Sequence, residues 1–412
     1  MKITTLAGIL SGIAFILIIL FRPGHTTESH PPADFTTGSE KVGKDSVPIR
    51  RTIRKFDMFL RDSLHGTGCI GAAATIFYQD NIVYTLTHGV KRAGTKDSVD
   101  RHTVFRLASV SKGFAGVLAA ILEEEGIISM DDRIIEYLPA FRLKDSVNTH
   151  DLAIRHVLNH TSGLVPHAYD NLAEDGKTIK EIIPELARAE IAGIPGQYYG
   201  YQNVVFSLID TLAVLKTERD YGELVNRKIF KPLGMKDASM GYRGLVWNHN
   251  VAFPHDRING EYHPLPLNTG YYNLLPAAGV NASIDDMGKW LAALLGFVPK
   301  KLDTAVIRLI STPQVCTPLK RNYTRFWDPI EARYYSYGWR IFDYKGIRIL
   351  YHGGYVRGYR AEIAFCPEEK TGIAFLLNSP NRLASQVVPT FFNMYLEEHA
   401  AGLPGHTGQA LP

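Results

Sequence analysis

Runs whose side chains alternate with a period of two lie near both ends of this 412-residue chain, and the stretch between them reads as helices and loops. Near the N-terminal end, CIGAAATIFYQDNIVYTLTHGV (69–90) gives two strand-like runs about a Gln79-Asp80-Asn81 turn. Near the other end, residues 334–354 and 359–378 give three or four antiparallel strands. Their turns fall at Asp343-Tyr344-Lys345-Gly346 and Glu368-Glu369-Lys370. The middle, from about Asp131 to Tyr323, holds helical stretches such as DLAIRHVLNHT, YQNVVFSLIDTLAVL, YGELVNRKIFKPLGM and SIDDMGKWLAALL. A sheet drawn from both chain ends requires the intervening residues to leave it and return. The expected class is therefore α/β of the α+β kind: an antiparallel sheet flanked by helices, with an inserted, mostly helical lobe. The domain is expected over 51–400, with the sheet lobe from about 51–107 and 335–400 and the helical lobe from about 108–334. A cleft between the lobes is the natural place for a site.

Flanking helices are expected over 49–64, where Ile53, Phe56, Phe59 and Leu60 recur at helical spacing, and over 383–400, with a kink at Pro389. Before them, MKITTLAGILSGIAFILIIL carries Lys2 and then an apolar run from about Ile3 to Phe21. That length suits one membrane span, and no small-x-small cleavage site follows. Residues 1–22 are expected to be a signal anchor, in preference to a cleaved signal peptide, with 23–50 a flexible linker and 401–412 a tail. Arg22, on the far side of the apolar run, leaves the orientation open. Either way the bulk of the chain is expected to be exported. It would be held at the membrane by its N-terminal segment, or be periplasmic or secreted after cleavage.

Lys and Arg number 45 against 41 Asp and Glu, and no dense basic run occurs, so nucleic acid is not an expected partner. Cys69, Cys316 and Cys366 lie far apart with no C-x-x-C pair, and read as buried apolar side chains. Trp247, His249, His255 and His263 share one polar stretch, but their spacing is irregular and carboxylates are few. No metal is expected there, and no cofactor anywhere. The aromatic run FWDPIEARYYSYGW (326–339) reads as strand packing with a cleft rim.

Three short patterns carry possible chemistry. In FRLASVSKGFAGVLAAILEEEG, Ser109 and Lys112 stand three apart, on one face of a helix start. A serine hydroxyl needs a base, and a lysine becomes one when burial or a neighbouring cation lowers its pKa. In PGQYYGYQNVVF, Tyr201 and Asn203 alternate in an extended loop and point the same way. A phenol beside an ammonium can titrate low enough to exchange protons, and the amide can hold both the lysine and a substrate carbonyl. In YHGGYVRGY, Gly353 and Gly354 would let a substrate backbone approach the strand, and His352 would line the cleft. The N–H groups of Ser109 and Tyr355 could then form an oxyanion hole. Each pattern alone also reads blandly: a surface helix turn, a core tyrosine with a capping asparagine, and a β-turn with an exposed histidine.

In order along the chain these are Ser-x-x-Lys, Tyr-x-Asn, and a basic residue followed by a small residue and glycine. The set is related to the S-x-x-K, S-D-N and K-T-G motifs of penicillin-binding proteins and class A β-lactamases. The chain resembles their sister branch: class C β-lactamases, D,D-peptidases, D-aminopeptidases and esterases with a β-lactamase fold. FRLASVSKGFAGVLAAILEEEGIISMDDRIIEYLP, IRHVLNHTSGL, PGQYYGYQN, IFKPLGM and AAGVNASIDDMGKWLAALL are similar to that family's landmarks, over roughly Arg54 to Glu397. The resemblance implies a β-lactamase/transpeptidase-like fold. It implies Ser109 as acylated nucleophile, Lys112 as its activating partner, Tyr201 as general base and acid, and Asn203 as substrate-positioning residue.

His352 and Gly353 then stand where the family has a lysine and a hydroxyl residue that hold a substrate carboxylate. A carboxylate would lose a donor and part of a charge-assisted contact, roughly 1.5–3 kcal/mol per bond. The expected function is a serine hydrolase acting on an ester or amide of a small-molecule or peptide substrate, with poor β-lactam turnover. A true β-lactamase or D,D-carboxypeptidase, and a non-hydrolytic binding or scaffold protein on the same fold, remain as alternatives. His167, just past HTSGL, could face the cleft or stay in its loop.

Overall fold

The computed structural model describes residues 46–318 and 324–400. The expected anchor at 1–22, the linker up to residue 45 and the tail at 401–412 lie outside the described residues. Among the described residues, no helix is long and apolar enough to cross a membrane.

Helix α1 (Ser46–Gly66) begins five residues inside the expected linker. Ile49, Ile53, Phe56, Leu60 and Leu64 recur on one face of it, and all are buried. Strands β1 (Gly71–Tyr78) and β2 (Asn81–Gly89) follow as a hairpin, with Gln79 in the left-handed region at φ 53°. The remaining strands are β3 (Val315–Cys316), β4 (Ala332–Tyr335), β5 (Arg340–Tyr344), β6 (Ile347–Val356), β7 (Tyr359–Cys366) and β8 (Thr371–Leu377). They form one antiparallel sheet in the order β2-β1-β8-β7-β6-β5-β4-β3. Both ends of the chain meet where β1 pairs β8, with Ala72 opposite Leu377 and Thr75 opposite Ala374. The β5–β6 turn is Lys345-Gly346, at φ 49° and 81°, the two-residue form that matches strand twist.

Helices cover both faces, so β8 is buried throughout and β1 and β7 are buried at all but one residue each. On one face, Ala72, Ala74 and Ile76 of β1 and Ile373, Phe375 and Leu377 of β8 pack against α1 and the last helix, α4 (Leu383–Ala400). Phe56 meets Phe391 edge-on at 5.6 Å there. Pro389 lies inside α4, and the helix continues on both sides of it. On the other face, Ala73, Phe77, Ala374 and Leu376 join the core of α2 (Ser111–Glu124) and α3 (Ile284–Leu294). Phe114 of α2 stacks on Trp290 of α3, centroids 4.2 Å apart and 11° from parallel.

The sheet takes two more segments than expected, β3 and most of β4, from the range assigned to the helical lobe. β3 is a two-residue edge strand, too short to show a period. Outside the large sheet, short strands at 105–106, 239–240 and 280–282 form one small sheet, and 255–258 with 261–264 form a hairpin. Cys69 and Cys366 are buried, whereas Cys316 is exposed on β3, against the expectation for it. His255 is buried, taking Ala93 N–H at Nε2 (3.0 Å) and giving Nδ1–H to the Asn378 carbonyl (2.9 Å).

Candidate active site

Ser109 sits in a short 3-10 turn, Ala108–Val110, that feeds directly into α2. Ala108 is buried at φ 48°, a left-handed conformation that a residue with a Cβ adopts at a cost. Ser111 Oγ accepts from Val280 N–H at 2.9 Å and ties the helix start to the strand at 280–282. One turn in, Lys112 is fully buried. Its Nζ donates to Asn203 Oδ1 (2.7 Å) and to the Ala277 carbonyl (3.2 Å), and lies 3.4 Å from Ser109 Oγ. It also sits over the rings of Tyr201 (4.9 Å) and Phe206 (5.4 Å). Burial pulls the Lys112 pKa down to about 7, with Asp170 opposing and Arg340 reinforcing the fall. A neutral amine beside the serine is therefore well populated at neutral pH.

Tyr201 and Asn203 come from a loop pinned by two histidines. His167 N–H donates to the Tyr201 carbonyl (2.8 Å), and Gln202 N–H donates to His160 Nδ1 (3.2 Å). Gln202 is buried with its amide on the Val165 carbonyl, so its neighbours on either side turn toward Lys112, as the alternation implied. The Ser109 hydroxyl is close enough to the Tyr201 phenol to favour its ionised form. Its acidity differs from expectation. Burial pushes its pKa up to about 12, and Arg340 only partly offsets this, so the phenol is neutral beside the lysine.

His352 also differs from expectation. It is buried, with Nδ1–H donating to the Gly353 carbonyl (2.9 Å) and Nε2 accepting from the Tyr335 hydroxyl (3.1 Å). Burial, then Arg340 and Lys112, hold its pKa well below the usual imidazole value. It is a neutral residue whose nitrogens are both engaged inside the protein, not a pH-dependent charge on the cleft. The glycines after it serve the protein's own packing. A Cβ on Gly354 would lie 2.2 Å from the Leu107 carbonyl oxygen and 3.2 Å from Ser109 N, so the bare strand is pressed against the turn that carries the serine. Tyr355, 60% exposed, turns its ring toward a separate cavity with Arg257, Tyr262, Arg360 and Arg382.

A Cβ on Gly353 would meet Glu362 Oε2 and Tyr351 Oη, both at 2.7 Å. Glu362 is buried, accepting from Tyr351 (2.7 Å) and Arg360 (2.7 Å), and burial raises its pKa despite both donors. This pair fills the space that a hydroxyl side chain at 353 would need. Gly353→Ser is therefore expected to destabilise the fold by about 1–3 kcal/mol. Combined with Glu362→Ala it should cost less than the sum of the two single changes, read from urea unfolding of the four-member cycle. Additive costs would mean that Glu362 does not set the need for glycine.

Two charged residues at the site carried no sequence signal. Asp170 Oδ2 accepts from Asn203 Nδ2 (2.8 Å) and faces His167 Nδ1 (2.8 Å). Arg340, the first residue of β5, holds its guanidinium 5.4 Å from the Tyr201 ring and donates to the Tyr199 hydroxyl (3.4 Å). His160 packs against Tyr201, ring centroids 4.3 Å apart, and is buried and neutral. His167 is half exposed and paired with Asp170, at the mouth of the cluster.

An eight-stranded antiparallel sheet, helices on both faces and a Ser-Lys-Tyr cluster at the foot of a buried helix define the serine β-lactamase and penicillin-binding-protein class. Residues 56–390 match the Beta-lactamase family model, and the chain belongs to that family. Beta-lactamase-like protein 4 of Dictyostelium discoideum is 26% identical over 359 residues, covering 81% of this chain and 61% of that one. Unguisins hydrolase ungD of Aspergillus violaceofuscus is 24% identical over 337 residues, covering 75% and 58%. The chain thus spans about three fifths of the length of these curated relatives. The octameric penicillin-binding protein homologue from Pyrococcus abyssi superimposes with a TM-score of 0.72 at 22% identity, over 85% of this chain and 77% of that one.

Proposed function

We propose that the protein is an exported serine hydrolase that cleaves an ester or amide bond through an acyl-enzyme on Ser109. One observation carries this reading: a buried amine with a pKa of about 7 and a neutral phenol both reach the same serine hydroxyl. Uncharged Lys112 takes the Ser109 proton as Oγ attacks the carbonyl carbon. The Ser109 and Tyr355 N–H groups receive the developing oxyanion, which the close contact of Gly354 with the serine turn favours. The C–O or C–N bond then breaks. The leaving group takes the Tyr201 proton, and Lys112, now an ammonium, returns a proton to the phenolate. Water enters by the reverse path and releases the acyl group as an acid. The relatives include a protein named as a hydrolase, which is consistent with such chemistry.

The missing lysine and hydroxyl at 352 and 353 argue for a substrate other than a β-lactam. Incubation of the purified protein with a fluorophosphonate is expected to give one adduct on the Ser109 peptide by mass spectrometry, and Ser109→Ala none. Equal labelling of the two proteins would sink the hydrolase reading. Nitrocefin turnover is expected to be slow or absent, and fast turnover would favour a true β-lactamase.

A further inference from the structure

The acylation chemistry above leaves Asp170 and Arg340 without a role, although both reach the residues that touch the serine. We propose that Asp170 and Arg340 are positioning residues whose opposite charges, held against Asn203 and Tyr201, set how readily Lys112 gives up and takes back a proton. The proposal rests on the hydrolase reading for its meaning, but its geometry stands alone.

Asp170 fixes the Asn203 amide. With Nδ2 donating to the carboxylate, Oδ1 is left facing Lys112 Nζ. A flipped amide would set two donors against the lysine and lose the carboxylate. The Asp170 side chain is 15% exposed, and its Oδ1 is buried without a hydrogen-bond partner. Its charge therefore reaches Lys112 through one amide with little screening by water. Arg340 acts from the other side of the cluster, against the rings of Tyr201 and Tyr335 at 5.4 and 5.7 Å. A cation there disfavours a second cation on Lys112 and favours the phenolate that Tyr201 passes through when it gives up its proton.

The other groups around Lys112 are poor rivals for this role. Ser109 shares its helix start, and Ala277 and Phe206 supply a carbonyl and a ring. His160 and His352 are buried and neutral. Tyr199, Tyr201 and Tyr335 are phenols, and His167 is half exposed and bound to Asp170 itself. Among the described residues, Asp170 and Arg340 are the formal charges that bear on the amine. At an effective dielectric near 20, a unit charge that reaches a buried amine through a single intervening side chain moves its titration by roughly one pH unit.

The test is the midpoint of the Ser109 labelling rate by a fluorophosphonate, across about pH 5 to 10, together with the pH titration of the Lys112 Cε resonance in protein carrying 13C-lysine. The midpoint does not depend on how much of a sample is folded. Asp170→Asn removes the charge that favours the ammonium, so both midpoints should fall by roughly one unit. Arg340→Met removes a like charge, so both should rise by roughly one unit. Asp170→Glu and Arg340→Lys keep the charges and should stay near the wild type. Unchanged Cε midpoints in the Asn and Met variants, or shifts of the same sign, would overturn the proposal. Opposite Cε shifts in a protein that does not label would uphold this electrostatic role and remove the hydrolase reading instead.

Discussion

Lys112→Met is expected to slow acylation of Ser109 by roughly 10²–10⁴-fold, the usual contribution of a positioned base. The same change should remove a pH dependence from stability. The lysine titrates at about 7 in the folded protein against an ordinary 10.5. Between those values the unfolded chain binds a proton that the folded one does not. Wild-type stability therefore rises with pH across that window, by up to about 1.4 kcal/mol per unit, and the full penalty is present below pH 7. The methionine variant has no such titration. Its stability relative to wild type should be greatest below pH 7 and decline toward pH 10.5. The bonds lost to Asn203 and Ala277 shift that difference but not its slope. Urea unfolding of both proteins at about pH 6 and about pH 9.5 checks this. A difference that does not shrink as pH rises would mean that Lys112 is not held neutral by the fold.

Gly354→Ala should damage both the fold and the serine turn that β6 is pressed against. Its Cβ would lie 2.2 Å from a backbone oxygen, with no flexible side chain to give way. Either β6 or the Leu107–Ser109 turn must move. A destabilisation of about 1–3 kcal/mol is expected, together with acylation slowed by roughly 10²-fold or more if the proposed Tyr355 donor is displaced. Thermal melting and fluorophosphonate labelling report the two effects separately. A variant that labels at the wild-type rate would show that β6 contributes no donor at Ser109.

The parts of this site that lie close in sequence could be read before the fold was known. Ser109 and Lys112 are one helical turn apart, and Tyr201 and Asn203 are two residues apart in an extended loop. In each case local geometry dictates which way the side chains face. Asp170 and Arg340 are 33 residues before Asn203 and 139 after Tyr201, and only tertiary packing gives them a partner. His352 departs from its sequence expectation for the same reason. Its residue type suggests a charge near neutral pH, but burial beside Arg340 and the Tyr335 hydroxyl removes it. Tyr201 fails in the opposite direction, because desolvation outweighs the cation beside it. The two-lobed plan was legible from where the period-two runs fall. The edge strand at 315–316 was not, because two residues cannot display a period.

The pairing of β1 with β8 also bears on how the chain is made. During synthesis from the N-terminus, residue 72 has no partner on that edge until residue 377 has left the ribosome. Closing so long a loop is entropically unfavourable, and until it closes one side of an almost wholly apolar strand stays open. The nascent protein must therefore pass through a stage in which β1 is competent to join a foreign strand, and it is then that a holdase would matter most.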